Sequence, residues 1–251
     1  MNMNPLIQFT LFLADSNLIL SQKNAEWCGH GPILEQDIAI TNITLDLLGQ
    51  ARYFYQYAAE LMNQAGHTHI TEDSLAYLRT EREFKNLLLC EQPNGDWAQT
   101  VLRQFFYSVY QQSLYQQILQ QSNSQLSAIA EKSLKEITYH IKWSSEWVVR
   151  LGDGTPLSHH KMLQAIKALW PYTGEFFTPT DFEKEIIPID YEKLKMQWID
   201  SVQNVLEEAG LPMPQNIFMH TGGKLGSHTE HLGYILAEMQ YLQRTYPNAQ
   251  W

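Results

Sequence analysis

The apolar residues of this chain recur at intervals of three and four along nearly every long segment. Because an α-helix turns once in about 3.6 residues, this spacing gathers them on one helical face. Strand-like alternation is hard to find. The pattern therefore predicts an all-α fold whose helices pack as a bundle. Its clearest instance is the line Ile40, Ile43, Leu47, Gln50, Phe54, Tyr57 and Leu61.

Glycine and proline clusters divide this pattern into separate helices. The chain has no internal repeat and no convincing linker, so residues 1–251 are predicted to form one ferritin-like helical domain. Its core is expected to be a four-helix bundle, with additional C-terminal helices. The predicted helices span residues 5–24, 33–62, 71–89, 97–121, 124–151, 157–170, 180–186, 191–209 and 226–246.

The chain is acidic, with a formal net charge of −10 and a sequence pI of about 5.3. Such a charge repels nucleic acid and anionic membranes, so neither is expected as a partner. Cys28 and Cys90 are too few for a disulfide framework or a zinc site. The amino terminus lacks a signal-peptide pattern, and no stretch reaches the ~20 apolar residues of a membrane helix. These features predict a cytoplasmic protein.

Four long helices raise the question of a di-iron centre. Ferritin-like di-iron bundles take one Glu from each of two helices and a Glu-x-x-His pair from each of the other two. Two pairs on the inward lines have this spacing, Leu47 with Gln50 and Ile137 with His140. An aliphatic side chain occupies each carboxylate position, and the nearby acids Asp46 and Glu136 lie about 100° around their helices. The sequence thus predicts no metal site and no catalytic residue.

Several long blocks resemble the structural subunits of the bacterial multicomponent ring-1,2-phenylacetyl-CoA epoxidases, enzymes of phenylacetate degradation. The resemblance covers essentially the whole chain. The blocks that carry it are EWCGH at 26–30, LDLLGQAR at 45–52, EQPNG at 91–95, TGGKLGSHTEHLG at 221–233 and AEMQYLQR at 237–244.

The resemblance implies that the iron ligands have been lost. The catalytic subunits of that family carry a motif similar to Asp-Glu-Ala-Gly-His, where this chain reads DLLGQ at 46–50. A second motif resembles Glu-Ser-Phe-His, where this chain reads ITYH at 137–140. Alignment with the family places Asn17 and Ser108 at the two single-carboxylate positions. Asn17, Gln50, Ser108 and His140 are therefore expected to form a hydrogen-bonded polar core, with His140 neutral.

The resemblance also implies a function. This chain would be a non-catalytic subunit that pairs with and stabilises the catalytic subunit, which holds the di-iron centre and oxidises phenylacetyl-CoA. A partner reductase with FAD and an iron–sulfur cluster would supply electrons from NADPH, and small accessory subunits would complete the complex. This chain would bind no cofactor.

A glycine-rich segment near the C-terminus is a second candidate site. Gly222, Gly223, Lys224 and Gly226 precede a predicted helix, where free backbone N–H groups can hold an anion. The spacing is not that of a phosphate-binding Walker loop, so a structural turn or partner-contact loop is favoured. His228 and His231 invite a metal interpretation, but a hydrogen-bonded contact with a partner chain is the preferred hypothesis.

Two rival functions stay open. The chain could be a stand-alone ferritin-like protein, which the aliphatic ligand positions argue against. It could also be a cofactor-free acyl-CoA-binding module, for which Lys161, Lys167 and Lys224 are the available cations. The acidic charge disfavours that alternative.

Overall fold

The computed structural model describes residues 3–186, 188–215, 217–247 and 249. The first and last residues of the predicted 1–251 domain are therefore not among the described residues. All regular structure within these ranges is helical, which confirms the all-α, ferritin-like helical prediction. The α-helices, in chain order, are α1 (Pro5–Ala25), α2 (Leu34–Gln64), α3 (Glu72–Tyr77), α4 (Trp97–Ile118), α5 (Ser124–Gly152), α6 (Pro156–Leu169), α7 (Asp181–Ile186), α8 (Tyr191–Glu208), α9 (Glu230–Met239) and α10 (Tyr241–Thr245).

Several helix starts are fixed by side-chain caps. The Asn4 side chain accepts a hydrogen bond from the Leu6 N–H at the start of α1, and Pro5 occupies the first helical position. Asp96 accepts from two backbone N–H groups at the start of α4. Each cap satisfies donors that have no partner within the helix, so these residues set where the helices begin.

The predicted helix at 71–89 is wrong beyond Tyr77. The Thr71 side chain caps the start of α3, but this helix has only six residues. The segment that follows is held by α1, since the Lys85 N–H donates to the Asp15 carboxylate and the Leu87 N–H donates to the Ser16 hydroxyl. Backbone donors engaged by another helix cannot form a helical ladder of their own.

The predicted helix at 226–246 begins later, at Glu230, and divides after Met239. Gly226 has a φ of +81°, a left-handed conformation that a regular helix does not contain. The residues before Glu230 form a short 3-10 turn, Gly223–Leu225, and a non-helical stretch. Sequence periodicity alone did not reveal this break.

The described chain divides into two compact units. The α1–α2 unit comprises Met1–Glu91, Thr180–Ile186 and Gly222–Trp251, and the α4–α5 unit comprises Gln92–Pro179 and Ile187–Thr221. In the first, α1 packs along α2, and α7 and α9 also contact α1. In the second, α4 packs along α5, and α6 and α8 contact both helices. That the chain folds as a single domain stays a prediction.

Each unit has one helix that is buried on nearly every side. All residues of α1 from Phe9 to Ser21 are buried, and so are all residues of α4 from Thr100 to Gln111. Such helices lie in a protein interior, whereas the partner helices α2 and α5 each have an exposed face. The polar residues in these stretches of α1 and α4 are therefore buried, and a buried polar group needs a hydrogen-bonding partner.

Candidate functional site

The two sequence pairs that are predicted to stand at lost iron-ligand positions lie on the buried faces of α2 and α5. Leu47, Ile137 and His140 are fully buried, and Gln50 is 1% exposed. The off-line acids Asp46 and Glu136 are partly exposed, as the 100° rotation per residue predicts. Both carboxylate positions are thus filled by aliphatic side chains inside the protein.

The other two positions of the set are also buried and already hydrogen-bonded. The Asn17 side-chain amide donates to the Leu13 carbonyl oxygen at 2.9 Å, one turn back along α1. The Ser108 hydroxyl accepts from the Gln104 side-chain amide at 2.8 Å, one turn back along α4. Each residue therefore has a partner on its own helix, and pairing among the four polar side chains stays a prediction.

These six side chains do not fit a di-iron centre. They are Asn17, Leu47, Gln50, Ser108, Ile137 and His140, which offer one imidazole and no carboxylate. Hard divalent ions bind through carboxylate and other oxygen ligands, and a bridged iron pair needs several of them. Over the described part of the chain, no three His, Cys, Asp or Glu side chains are grouped so as to hold a metal ion.

A buried ion pair lies at the centre of the α1–α2 unit. Asp15 of α1 is fully buried and accepts hydrogen bonds from the Arg79 guanidinium, in part at 3.1 Å, and from the Tyr55 hydroxyl at 2.5 Å. The Lys85 backbone N–H, at 2.8 Å, is a further donor to this carboxylate. The guanidinium also lies 4.3 Å from the centre of the Phe84 ring. The charge on Asp15 is therefore compensated inside the unit.

This environment raises the pKa of both Tyr55 and Arg79. Burial and the neighbouring Asp15 carboxylate raise the pKa of Tyr55 well above its ordinary value, so the phenol stays protonated and donates. Burial lowers the pKa of Arg79, but the facing Asp15 outweighs it and the net pKa is raised. The cluster is thus a fixed ion pair with a neutral phenol at physiological pH.

A second buried ion pair joins Glu91 to the C-terminal segment. One Glu91 oxygen accepts from His228 Nδ1 at 2.9 Å and from the Asn86 side-chain amide at 2.8 Å. The other accepts from both the backbone N–H and the hydroxyl of Thr229, which precedes α9. The remaining ring nitrogen of His228 lies 2.9 Å from the Phe84 carbonyl oxygen.

His228 donates from both ring nitrogens, because both face acceptor oxygens. A neutral imidazole has only one N–H, so this geometry is that of the imidazolium cation. Burial lowers the pKa of His228, but the hydrogen bond to Glu91 and its charge outweigh burial, so the net pKa lies above the ordinary value. The hydrogen bond expected between His228 and a partner chain is therefore made within this chain, and His231 is partly exposed.

The glycine-rich segment is also anchored internally. Lys224 is 1% exposed, and its ammonium lies 2.9 Å from a Glu183 carboxylate oxygen and 5.1 Å from the centre of the Phe12 ring. A β-carbon at Gly223 would lie 2.3 Å from the Asn86 carbonyl oxygen, and one at Gly226 would lie 2.2 Å from the Arg82 carbonyl oxygen. These glycines allow close backbone packing, which favours the structural-turn interpretation over an anion-binding loop.

Sequence reasoning missed the acidic partners of this region, Asp15, Glu91 and Glu183. One signal was present, since Asp15 interrupts the apolar first helix. A charged residue on a helix that is otherwise buried must have a partner. Its partner Arg79 is 64 positions away, and Glu91 is 137 positions from His228. Only the fold brings such residues together.

The helical units and the aliphatic ligand positions define a ferritin-like helical protein whose donor set does not match a di-iron site. The family model described as phenylacetic acid catabolic protein matches residues 1–251, so the chain belongs to that family. The chain is 48% identical over 253 aligned residues to the C subunit of the 1,2-phenylacetyl-CoA epoxidase of Escherichia coli strain K12, covering 99% of this chain and 100% of that protein. The resemblance found in the sequence blocks is confirmed.

No described helix combines the length and the apolar character that crossing a membrane requires.

Proposed function

We propose that this chain is a non-catalytic subunit of a 1,2-phenylacetyl-CoA epoxidase complex in phenylacetate catabolism. It pairs with the catalytic subunit and stabilises it. The proposal is supported by the 48% identity to one subunit of such an epoxidase, which extends over essentially the full length of both proteins. Similarity over whole chains favours the same place in a complex more strongly than a shared short motif does.

One observation carries the non-catalytic assignment. Leu47 and Ile137 are fully buried where the family resemblance places carboxylate ligands of iron. Aliphatic side chains have no lone pair to donate, so they supply none of the oxygen ligands that a metal pair would need. The chain then contributes packing and shape to its partner, as a rigid support for the partner's metal-bearing helices.

In this proposal every cofactor belongs to another subunit. The di-iron centre lies in the catalytic subunit, and FAD, an iron–sulfur cluster and NADPH belong to the reductase. Small accessory subunits complete the assembly, which is cytoplasmic. Cys28 and Cys90 do not form a disulfide, which is in keeping with a reducing compartment.

The test is co-expression with the catalytic subunit, followed by metal analysis and activity measurement. We expect the two chains to co-purify, with iron in proportion to the catalytic subunit alone. The matched variant is His140→Gln, which keeps a hydrogen-bonding side chain but removes the imidazole. An assembled complex should retain wild-type turnover with this variant. Iron bound by the isolated chain, or turnover lost from an intact His140→Gln complex, would contradict the assignment.

The acyl-CoA-binding alternative receives no support from two of the three lysines that it would use. Lys224 is buried against Glu183, and the Lys161 ammonium lies 3.3 Å from the Asp96 carboxylate. A polyanionic ligand would have to compete with these carboxylates in a protein that carries a net charge of −10. Calorimetry with phenylacetyl-CoA and the isolated chain should therefore show no binding.

A further inference from the structure

Helix α2 carries a second apolar face in addition to the one that packs on α1. Leu34, Ile38, Leu45 and Leu48 expose 71, 53, 59 and 44% of their surface. Their spacing places them on one stripe along the first half of α2. We call these four residues, together with Gly49, the α2 stripe. A helix with two apolar faces is one that is covered on both in its functional state.

Gly49 is an independent observation on the same stripe, one turn after Leu45. Apart from its chain neighbours and the nearby backbone of α2, no described residue lies within 4 Å of the place where its β-carbon would stand. Its φ is not positive, so neither local space nor backbone conformation requires glycine there. Glycine inside a helix lowers its stability relative to alanine. A glycine that this chain does not need fits the close approach of another backbone.

The spacing of the α2 stripe indicates what kind of surface covers it. Leu34, Ile38, Leu45 and Leu48 occupy positions of a four-three repeat, with Thr41 at the intervening position. This repeat forms the holes into which side chains of a facing helix insert. From Leu34 to Leu48 the stripe is about 21 Å long at 1.5 Å per residue. The occupant is therefore a helix of about four turns rather than a loop or a small molecule.

The charged residues beside the α2 stripe distinguish between two possible occupants, a second copy of this chain and a different chain. The stripe is edged by Glu35, Asp37 and Asp46, all at least partly exposed. A second copy would place these acids against their own equivalents, in addition to the repulsion between two chains of net charge −10. A helix with basic residues at its edges matches both the apolar line and its acidic borders.

We propose that the α2 stripe is the docking face for a helix of the catalytic subunit, with the two backbones closest at Gly49. This inference rests on the proposed function, which supplies the partner. It adds the contact face, the helical form of the occupant and the basic character of its edges. It assigns α2 two roles, since one face holds Leu47 inside this chain and the other binds the neighbour.

The test compares two stripe variants with a matched control. Leu45→Glu places a charge on the stripe, and Met196→Glu places the same charge on α8, where Met196 is 64% exposed. The dissociation constant for the purified catalytic subunit is measured by biolayer interferometry. We expect Leu45→Glu to weaken binding by at least about tenfold and Met196→Glu by less than about twofold.

Gly49→Met is the second stripe variant, and it separates docking from folding. Because the site is open in the isolated chain, we expect this variant to keep or raise the Tm of that chain while weakening the complex about tenfold. If Leu45→Glu fails to fold, the affinity of Gly49→Met for the catalytic subunit tests the docking face by itself.

Each outcome has a distinct meaning. If the wild-type chain does not bind the catalytic subunit, the proposed function fails and this inference fails with it. If the wild type binds and the folded stripe variants bind equally well, the docking face is wrong while the proposed function stands. A homodimer of the isolated chain that Leu45→Glu dissociates would assign the stripe to a second copy and overturn the proposal.

Discussion

The two units differ in the interactions that hold their interiors together. The α1–α2 unit has three ion pairs in its interior, Asp15 with Arg79, Glu91 with His228 and Glu183 with Lys224. The α4–α5 unit also buries the charged residues Arg103 and Glu175, but it has an extensive cluster of aromatic rings around Trp198. The rings of Phe106, Trp170, Phe176 and Phe177 lie with their centres 5.4 to 5.8 Å from that of Trp198.

The difference follows from how each unit is assembled from the chain. The α1–α2 unit contains three separate stretches of sequence, and two of its ion pairs tie a later stretch to an earlier one. Charged hydrogen bonds are directional, so they fix the position of such segments, whereas ring packing tolerates small shifts. We therefore expect the first unit to be sensitive to charge and the second to volume.

The largest expected effect is on the Asp15–Arg79 pair. Arg79→Met leaves a carboxylate buried without its cation and should lower the free energy of unfolding by about 3–5 kcal/mol. Asp15→Asn keeps the acceptor oxygen for Tyr55 and Lys85 but removes the charge. The double variant should be less destabilised than the sum of the two single variants, as measured by chemical denaturation. Strict additivity would show that the charges are not coupled.

In the aromatic unit the matched change is Trp198→Phe. The indole N–H of Trp198 donates to the Phe106 carbonyl oxygen at 2.9 Å, so this variant loses a buried hydrogen bond and ring volume. We expect a loss of about 1–3 kcal/mol in the free energy of unfolding. The loss should not depend on salt concentration or on pH near neutrality, because no charged group is involved. A strong salt dependence would remove the distinction between the units.

The sequence predicted the helices well where local signals fix them and poorly where distant residues do. The apolar line through Leu47 and Phe54 is a local signal, and the helix that it predicts, α2, is present. The segment after Tyr77 has helical periodicity, but side chains of α1 engage its backbone donors. Periodicity within one segment carries no information about that competition.

The candidate site shows the same limit. The buried positions of Leu47, Gln50, Ile137 and His140 could be predicted, because each follows from helical spacing alone. The partners of Lys224 and His228 could not be predicted, since the acids that hold them lie far away in the sequence. For the glycines of that segment the sequence favoured a structural turn or partner-contact loop, and a β-carbon at Gly223 or Gly226 would meet a backbone carbonyl oxygen of the same unit.

The Glu91–His228 pair makes the stability of the α1–α2 unit depend on pH. The pKa of His228 in the folded chain lies above the ordinary value of 6.5 that applies when the chain is unfolded. Its contribution is therefore complete below pH 6.5 and is lost as the pH rises through the folded pKa. Denaturation at several pH values should show a loss toward alkaline pH that is absent in His228→Gln. A loss toward acidic pH that His228→Gln abolishes would contradict the sign.

The smallest effects should be equal in the two units, because both have the same helix cap. Thr71 begins α3 in the α1–α2 unit and Thr155 begins α6 in the α4–α5 unit. In each, the threonine hydroxyl accepts at 3.1 Å from the N–H of a serine three residues later, whose hydroxyl accepts at 3.0 Å from the threonine N–H.

Thr71→Ala and Thr155→Ala should each lower the free energy of unfolding by about 1 kcal/mol. Equal losses of stability would show that the two units differ in their interiors and not at their helix ends, because the same cap then stabilises both units equally. Hydrogen exchange at the first turns of α3 and α6 measures each cap separately. If Thr71→Ala lowers the free energy of unfolding several times more than Thr155→Ala does, the two units also differ at their surfaces. Fraying of α3 would then disturb the ion pair of Arg79, which follows this helix in the chain.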